Sequence, residues 1–164
     1  MNVQPQPLSA AAFAPFGEVI EAGAQAEQIM INSGHTTRFH ALATVGLSGA
    51  DDRAIISIFR SSPLPRPINI QLLERHPLGS QAFYPLSGRP YLVVVAPPGE
   101  LDCRNIQVFI ASSEQGVNYH AGTWHHYSLA LDGVSDFLVV DRTGPGNNCD
   151  EIRLSPAQQF SVEY

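Results

Sequence analysis

This chain never goes far without a breaker. Its 13 Gly and 13 Pro are spread over all 164 residues, and the sequence between them falls into short strand-like runs. That punctuation leaves no room for the long amphipathic helices of a bundle or of parallel βαβ crossovers. Ile55 to Arg60, Asn69 to His76, Gln81 to Pro85, Gln107 to Ala111, Val117 to His120, His125 to Leu131 and Asp136 to Arg142 read as strands. Tyr91 to Ala96 is apolar throughout, the pattern of a strand buried on both faces. A set of roughly eight short strands in one domain predicts a mainly β fold, a closed antiparallel barrel or jelly roll with a few short helices. One helix is expected from an N-cap at Ser9 to Phe13, and another after Ser155-Pro156. Gly23 to Gly34 and Thr143 to Asp150 read as loops, and no linker divides residues 1–164, so a single domain is expected.

Composition narrows the function classes. A hydrophobic content of 44% with 15% charged residues suits a soluble globular protein. The net charge is -6, and all nine basic residues are arginines scattered singly. That excludes a nucleic-acid surface and suits recognition of one small anion. The absence of lysine excludes Schiff-base chemistry. Tyr91 to Pro98, the longest apolar run, is too short to span a bilayer. Cys103 and Cys149 form no disulfide framework and no signal peptide opens the chain, so a cytoplasmic protein is expected.

Four of the six histidines fall in two segments, Glu74-Arg75-His76-Pro77-Leu78-Gly79-Ser80-Gln81 and His120-Ala121-Gly122-Thr123-Trp124-His125-His126. Histidine titrates nearest neutral pH and is the commonest metal ligand, so two clusters abutting strands point to a small-molecule site. Period two puts Ile70, Leu72, Glu74 and His76 on one strand face and Gln71, Leu73 and Arg75 on the other. His125 and His126 must point to opposite faces. His35 and His40 have no convergent context.

The spacing resembles that of the cupin barrel. Glu74, His76, Gln81 and Gly88 occupy the positions of the first cupin motif, and His120-Ala121-Gly122-Thr123-Trp124-His125 follows the second, with His in place of Pro. That match implies His125 as the inward histidine and Glu74, His76, Gln81 and His125 as a mixed N/O metal site, with Gln81 replacing the usual carboxylate. Longer blocks narrow the resemblance. Leu73 to Phe83, Glu114 to His120, Trp124-His125-His126 and Asp136 to Arg142 look like the ureidoglycolate lyase family, over about Leu8 to Asp150. The resemblance implies a homodimeric cupin-like barrel that cleaves ureidoglycolate to glyoxylate and urea in purine breakdown, with nickel or another divalent ion as a candidate cofactor and a metal-free site as the alternative.

Ureidoglycolate carries hydroxyl and ureido nitrogen on one carbon. Lysis needs a base for the hydroxyl proton, an acid for the departing nitrogen and a cation for the carboxylate. Glu74, His76, His120 and His125 are the candidate catalytic groups. Arg60, Arg75 and Arg142 are the candidate clamps, since a guanidinium offers two parallel donors. Arg60 shares a face with Ile56 and Ile58, which buries it if that face is interior, whereas Arg75 should point away from Glu74. Gln81, Asn118, Tyr119 and Trp124 complete the expected substrate-binding set, with Asn118 on the ureido carbonyl, Tyr119 and Trp124 as walls, and Asp141 orienting a histidine. The competing readings are a non-catalytic carboxylate-binding cupin, a metal-dependent oxygenase or isomerase on the same barrel, and an amidohydrolase that releases ammonia.

Overall fold

The computed structural model describes residues 2–164 and is built from short, mostly antiparallel strands around two apolar layers. A five-stranded sheet runs in the order Gly17–Glu21, Gln115–Tyr119, Gln81–Pro85, Ser135–Thr143, Arg53–Ser61. A seven-stranded sheet has the path Asp150–Arg153, Leu72–Arg75, Trp124–His125, Tyr91–Ala96, Gln107–Ala111, Gln6–Pro7, with Leu129–Ala130 also paired to Tyr91–Ala96. The result is a largely antiparallel β-sandwich with few short helices, the mainly β fold that the strand pattern predicts.

Alternation decides where the core sits. Phe83, Val117, Tyr119, Phe137 and Val139 of the five-stranded sheet meet Tyr91, Val93, Val95 and Phe109 of the seven-stranded one. The intervening residues Leu92, Val94 and Ala96 face the opposite way. They enter a second core with Ile68, Ile70, Phe160 and Val162, contributed by a three-stranded sheet. Tyr91–Ala96 is therefore buried on both faces along its whole length, as its unbroken apolar run requires.

Several expected elements differ. Asn69 to His76 is not one strand. It breaks at Gln71 into Ile68–Ile70 and Leu72–Arg75, which join different sheets. Part of the expected Gly23 to Gly34 loop instead pairs Glu27–Ile31 with Thr36–His40 as a hairpin. The expected terminal helix gives way to a turn and the strand Phe160–Val162, whose Phe160 and Val162 are buried. The first helix is present over Ala10–Phe13, with the Ser9 hydroxyl accepting from Ala12 N–H at 3.3 Å.

Candidate active site

Leu72–Arg75 places Leu73 in the outer core, which turns Glu74 the other way, toward the space between the two large sheets. His125 lies directly across the ladder from Glu74. Just beyond the strand end, His76 brings its ring to within 5.1 Å of the His125 ring, centroid to centroid. One ligand atom from each of Glu74, His76 and His125 lies within 4.8 Å of the others.

Backbone carbonyls set the state of both histidines. His76 Nδ1 is 2.6 Å from the carbonyl of Asn148, and His125 Nδ1 is 3.0 Å from that of Thr123. A carbonyl only accepts, so each Nδ1 donates its proton there and Nε2 is the ring atom left to face the cluster. Both Nε2 atoms are buried and have no hydrogen-bond partner among the described residues. Burial pushes His125 down to about 3, against a smaller upward pull from the Thr123 carbonyl, so the ring is neutral. Burial raises Glu74, partly offset by His76. His125 Nε2 stands 3.7 Å from Glu74 Oε1.

Besides His125, the second histidine segment serves this geometry through its backbone. Gly122, at φ +80°, supplies a left-handed turn that a β-branched residue would strain. Its N–H donates to the His76 carbonyl at 2.9 Å, tying the two motifs together.

Across the sandwich, Tyr119 stacks on His125, with centroids 4.3 Å apart and planes at 10°. Burial, and secondarily Glu74, holds its phenol well above the usual range, so it stays protonated. Gln81 is the register partner of Tyr119 and shares its strand face with buried Phe83. Asp141 shares its face with Phe137 and Val139 and accepts from Gln81 Nε2 at 3.2 Å.

Six expected site residues lie elsewhere. Arg60 sits on the outer face beside Asp136, which it grips with two hydrogen bonds of 2.8 and 2.9 Å, and its side chain is 72% exposed. The Ile56–Ile58–Arg60 face is the outer one, so no buried guanidinium awaits a ligand there. Arg75 points outward, as its parity requires. It pairs with Asp150 and lies 4.5 Å over the Trp124 ring, and both Arg75 and Trp124 bond the Gly99 carbonyl. Trp124 therefore belongs to the outer core and walls no pocket at Glu74. Asn118 alternates with inward Val117 and Tyr119. It faces out, donating to Glu18 and to the Thr44 carbonyl. His120, nearly half exposed, is 3.1 Å from the same Glu18 and outside the Glu74 cluster. Arg142 is sealed in an ion pair with Asp52, the two side chains 3% and 1% exposed. Asp141 orients Gln81, where orientation of a histidine was expected. Asn148, whose carbonyl fixes His76, escapes sequence reasoning because the working group is backbone.

The fold and these groups define a mainly β protein with a candidate small-molecule or metal site, two inward histidines beside one carboxylate. The ureidoglycolate lyase family model matches residues 1–163. A ureidoglycolate lyase of Pseudomonas syringae pv. syringae is 53% identical over 159 residues, covering 96% of this chain and 93% of that protein. One of Azotobacter vinelandii is 57% identical over 147 residues, covering 89% and 88%. Among solved structures, a dTDP sugar isomerase from Desulfovibrio desulfuricans G20 gives a TM-score of 0.49 at 14% identity, covering 88% of this chain and 89% of that one. The chain belongs to the ureidoglycolate lyase family.

Proposed function

We propose that this chain is a cytoplasmic enzyme that cleaves ureidoglycolate to glyoxylate and urea, at the face formed by Glu74, His76 and His125. The observation that carries the reading is the pair of buried Nε2 atoms, unpartnered among the described residues and converging with one carboxylate, in a chain of this family. A buried polar atom without a partner is unfavourable by about 1–3 kcal/mol, so two in one place call for a shared ligand.

The donor set fits a divalent cation. Imidazole and carboxylate suit nickel, manganese or zinc, and each histidine has its remote N–H held by a carbonyl, the support that metal-binding histidines use. Nickel is the ion the family resemblance favours. Such an ion supplies Lewis acidity that eases loss of the substrate hydroxyl proton. Gln81, the fourth expected ligand, stands on the facing sheet.

The reaction itself asks little of the protein. The O–H bond breaks as C=O forms, the C–N bond breaks, and the proton ends on the ureido nitrogen. Glu74 takes the hydroxyl proton and can return it to the nitrogen on the same carbon, because a carboxyl group carries two oxygens. Tyr119 closes the opposite side and supplies a protonated hydroxyl. Loss of either histidine is expected to reduce turnover by ~10²-fold or more, in line with positioned groups of this kind. His76→Ala and His125→Ala are compared with His35→Ala by steady-state release of glyoxylate. Equal rates in the three variants would remove this site from the reaction.

The reading includes a homodimer. Arg53–Ser61 is a sheet edge, and its outward Ile56 and Ile58 are 74% and 54% exposed. An apolar edge of that length is a template for pairing with another chain, and a second copy would cover it.

A further inference from the structure

Gln81 and Asp141 form a unit that the metal site does not use. Gln81 is 6% exposed, and its Nε2 donates to Asp141 Oδ2 at 3.2 Å. A carboxylate accepts only, so this bond fixes which end of the amide faces Asp141. The other two oxygens, Gln81 Oε1 and Asp141 Oδ1, are buried and have no hydrogen-bond partner among the described residues. The sheet thus presents two adjacent acceptors that both lack a donor. Each is unfavourable by about 1–3 kcal/mol until something donates to it.

Their location says what can donate. Both side chains lie on the inward face of the five-stranded sheet, the face of Phe83, Phe137 and Val139. Gln81 is beside Tyr119 in the ladder, and Tyr119 stacks on His125. The acceptors therefore stand across the sandwich from Glu74, His76 and His125. No cation-binding role suits Asp141 better than donor recognition, since its second oxygen is already occupied by an amide N–H.

On the lyase reading, the two ends of the substrate differ in the same way. The carboxylate and hydroxyl offer oxygen lone pairs, which suit a cation. The ureido end offers N–H donors, which a cation repels and paired acceptors bind. We propose that Gln81 Oε1 and Asp141 Oδ1 receive the N–H groups of the ureido moiety, and so make the site selective for a urea-bearing hydroxy acid over acids with oxygen alone. An acid with a second carboxylate in place of the ureido group would meet Asp141 with like charge and would leave both acceptors unsatisfied. This inference rests on the lyase reading for its substrate, but the receptor itself is testable with urea alone.

The experiment uses the full chain and the variants Gln81→Ala and Asp141→Asn, each checked for an unchanged circular dichroism spectrum. Asp141→Asn is nearly isosteric, so it keeps the proposal testable where Gln81→Ala fails to fold. Three calorimetric titrations follow, with nickel chloride, urea and glyoxylate as separate probes. Urea is expected to bind the wild type and to lose ~10-fold or more of its affinity in each variant, the size of one lost hydrogen bond to a charged or buried group. Nickel and glyoxylate affinities are expected to change by less than ~3-fold. Urea that binds all three proteins alike, or none of them, would overturn the proposal. So would loss of nickel binding in Gln81→Ala, which would make Gln81 a metal ligand. Urea binding that depends on Gln81 and Asp141 in a protein that does not turn over ureidoglycolate would uphold the receptor and remove the lyase reading.

Discussion

Glu74 and His76 reach the same space because they are two apart at the end of a strand, and a strand repeats every two residues. What holds them there is less visible. Asn148 grips the His76 segment at two points: its carbonyl accepts from His76 Nδ1 at 2.6 Å and its side-chain oxygen accepts from Leu78 N–H at 2.8 Å. Removing that side chain should let the loop drift and with it the tautomer of His76. Asn148→Ala is therefore expected to weaken nickel binding by about 10–100-fold, with Asn148→Asp restoring it because Asp still accepts from Leu78. Calorimetric nickel titration of the two variants decides it, and equal affinities would show that Asn148 positions nothing. The residue scale also shows where sequence reading fails. Parity placed Glu74 inward and Arg75 outward from the strand alone. It could not say which face of Ile56, Ile58 and Arg60 was interior, because that depends on the register with Ser135–Thr143. Nor could it foresee that Asp141 would find an amide before a histidine.

At the scale of elements, the strands with clear patterns fall where the sequence puts them: Gln81–Pro85, Tyr91–Ala96 and Gln107–Ala111. The misread segments are those whose pairing is decided by tertiary context. Asn69 to His76 has an unbroken strand composition, yet its two halves join different sheets. The loops between elements are organised by one buried ion pair. Asp52 accepts from Ser48 and Gly49 N–H and from Arg142, which also donates to the Pro145 carbonyl. Gly79 lies so close that an added Cβ would stand 2.7 Å from Arg142 Cβ, so a side chain there would push the loops apart. The Arg142 hydrogen bond holds Asp52 down from its ordinary 3.8 to about 2, the backbone N–H groups of Gly49 and Ser48 assisting. A carboxyl whose folded value is depressed stabilises the fold above its unfolded value, and that contribution disappears as pH falls through the folded value. The pair's contribution is thus expected to be complete and independent of pH near neutrality and to decline between about pH 4 and pH 2. Denaturant midpoints measured across that range should show the decline in the wild type and a smaller slope in Asp52→Asn. Parallel pH curves for the two proteins would show that the pair is not coupled to folding.

For the whole molecule, two apolar layers share one central strand, and the site lies where the two large sheets meet at the His125 end. The sheet edge Arg53–Ser61 is exposed. Ile56→Glu is expected to convert a dimer to a monomer in light scattering while leaving the fold intact, because the side chain is already exposed in the single chain. A wild-type monomer would contradict the homodimer reading. At this scale the proposal is that ureidoglycolate is split at Glu74, His76 and His125. Its most direct test is to strip the protein of divalent ions, add nickel back, and follow glyoxylate, urea and ammonia from ureidoglycolate. Glyoxylate and urea are expected in equal amounts, above the spontaneous rate and only once nickel is restored. Ammonia as product, or full turnover in the stripped protein, would contradict it.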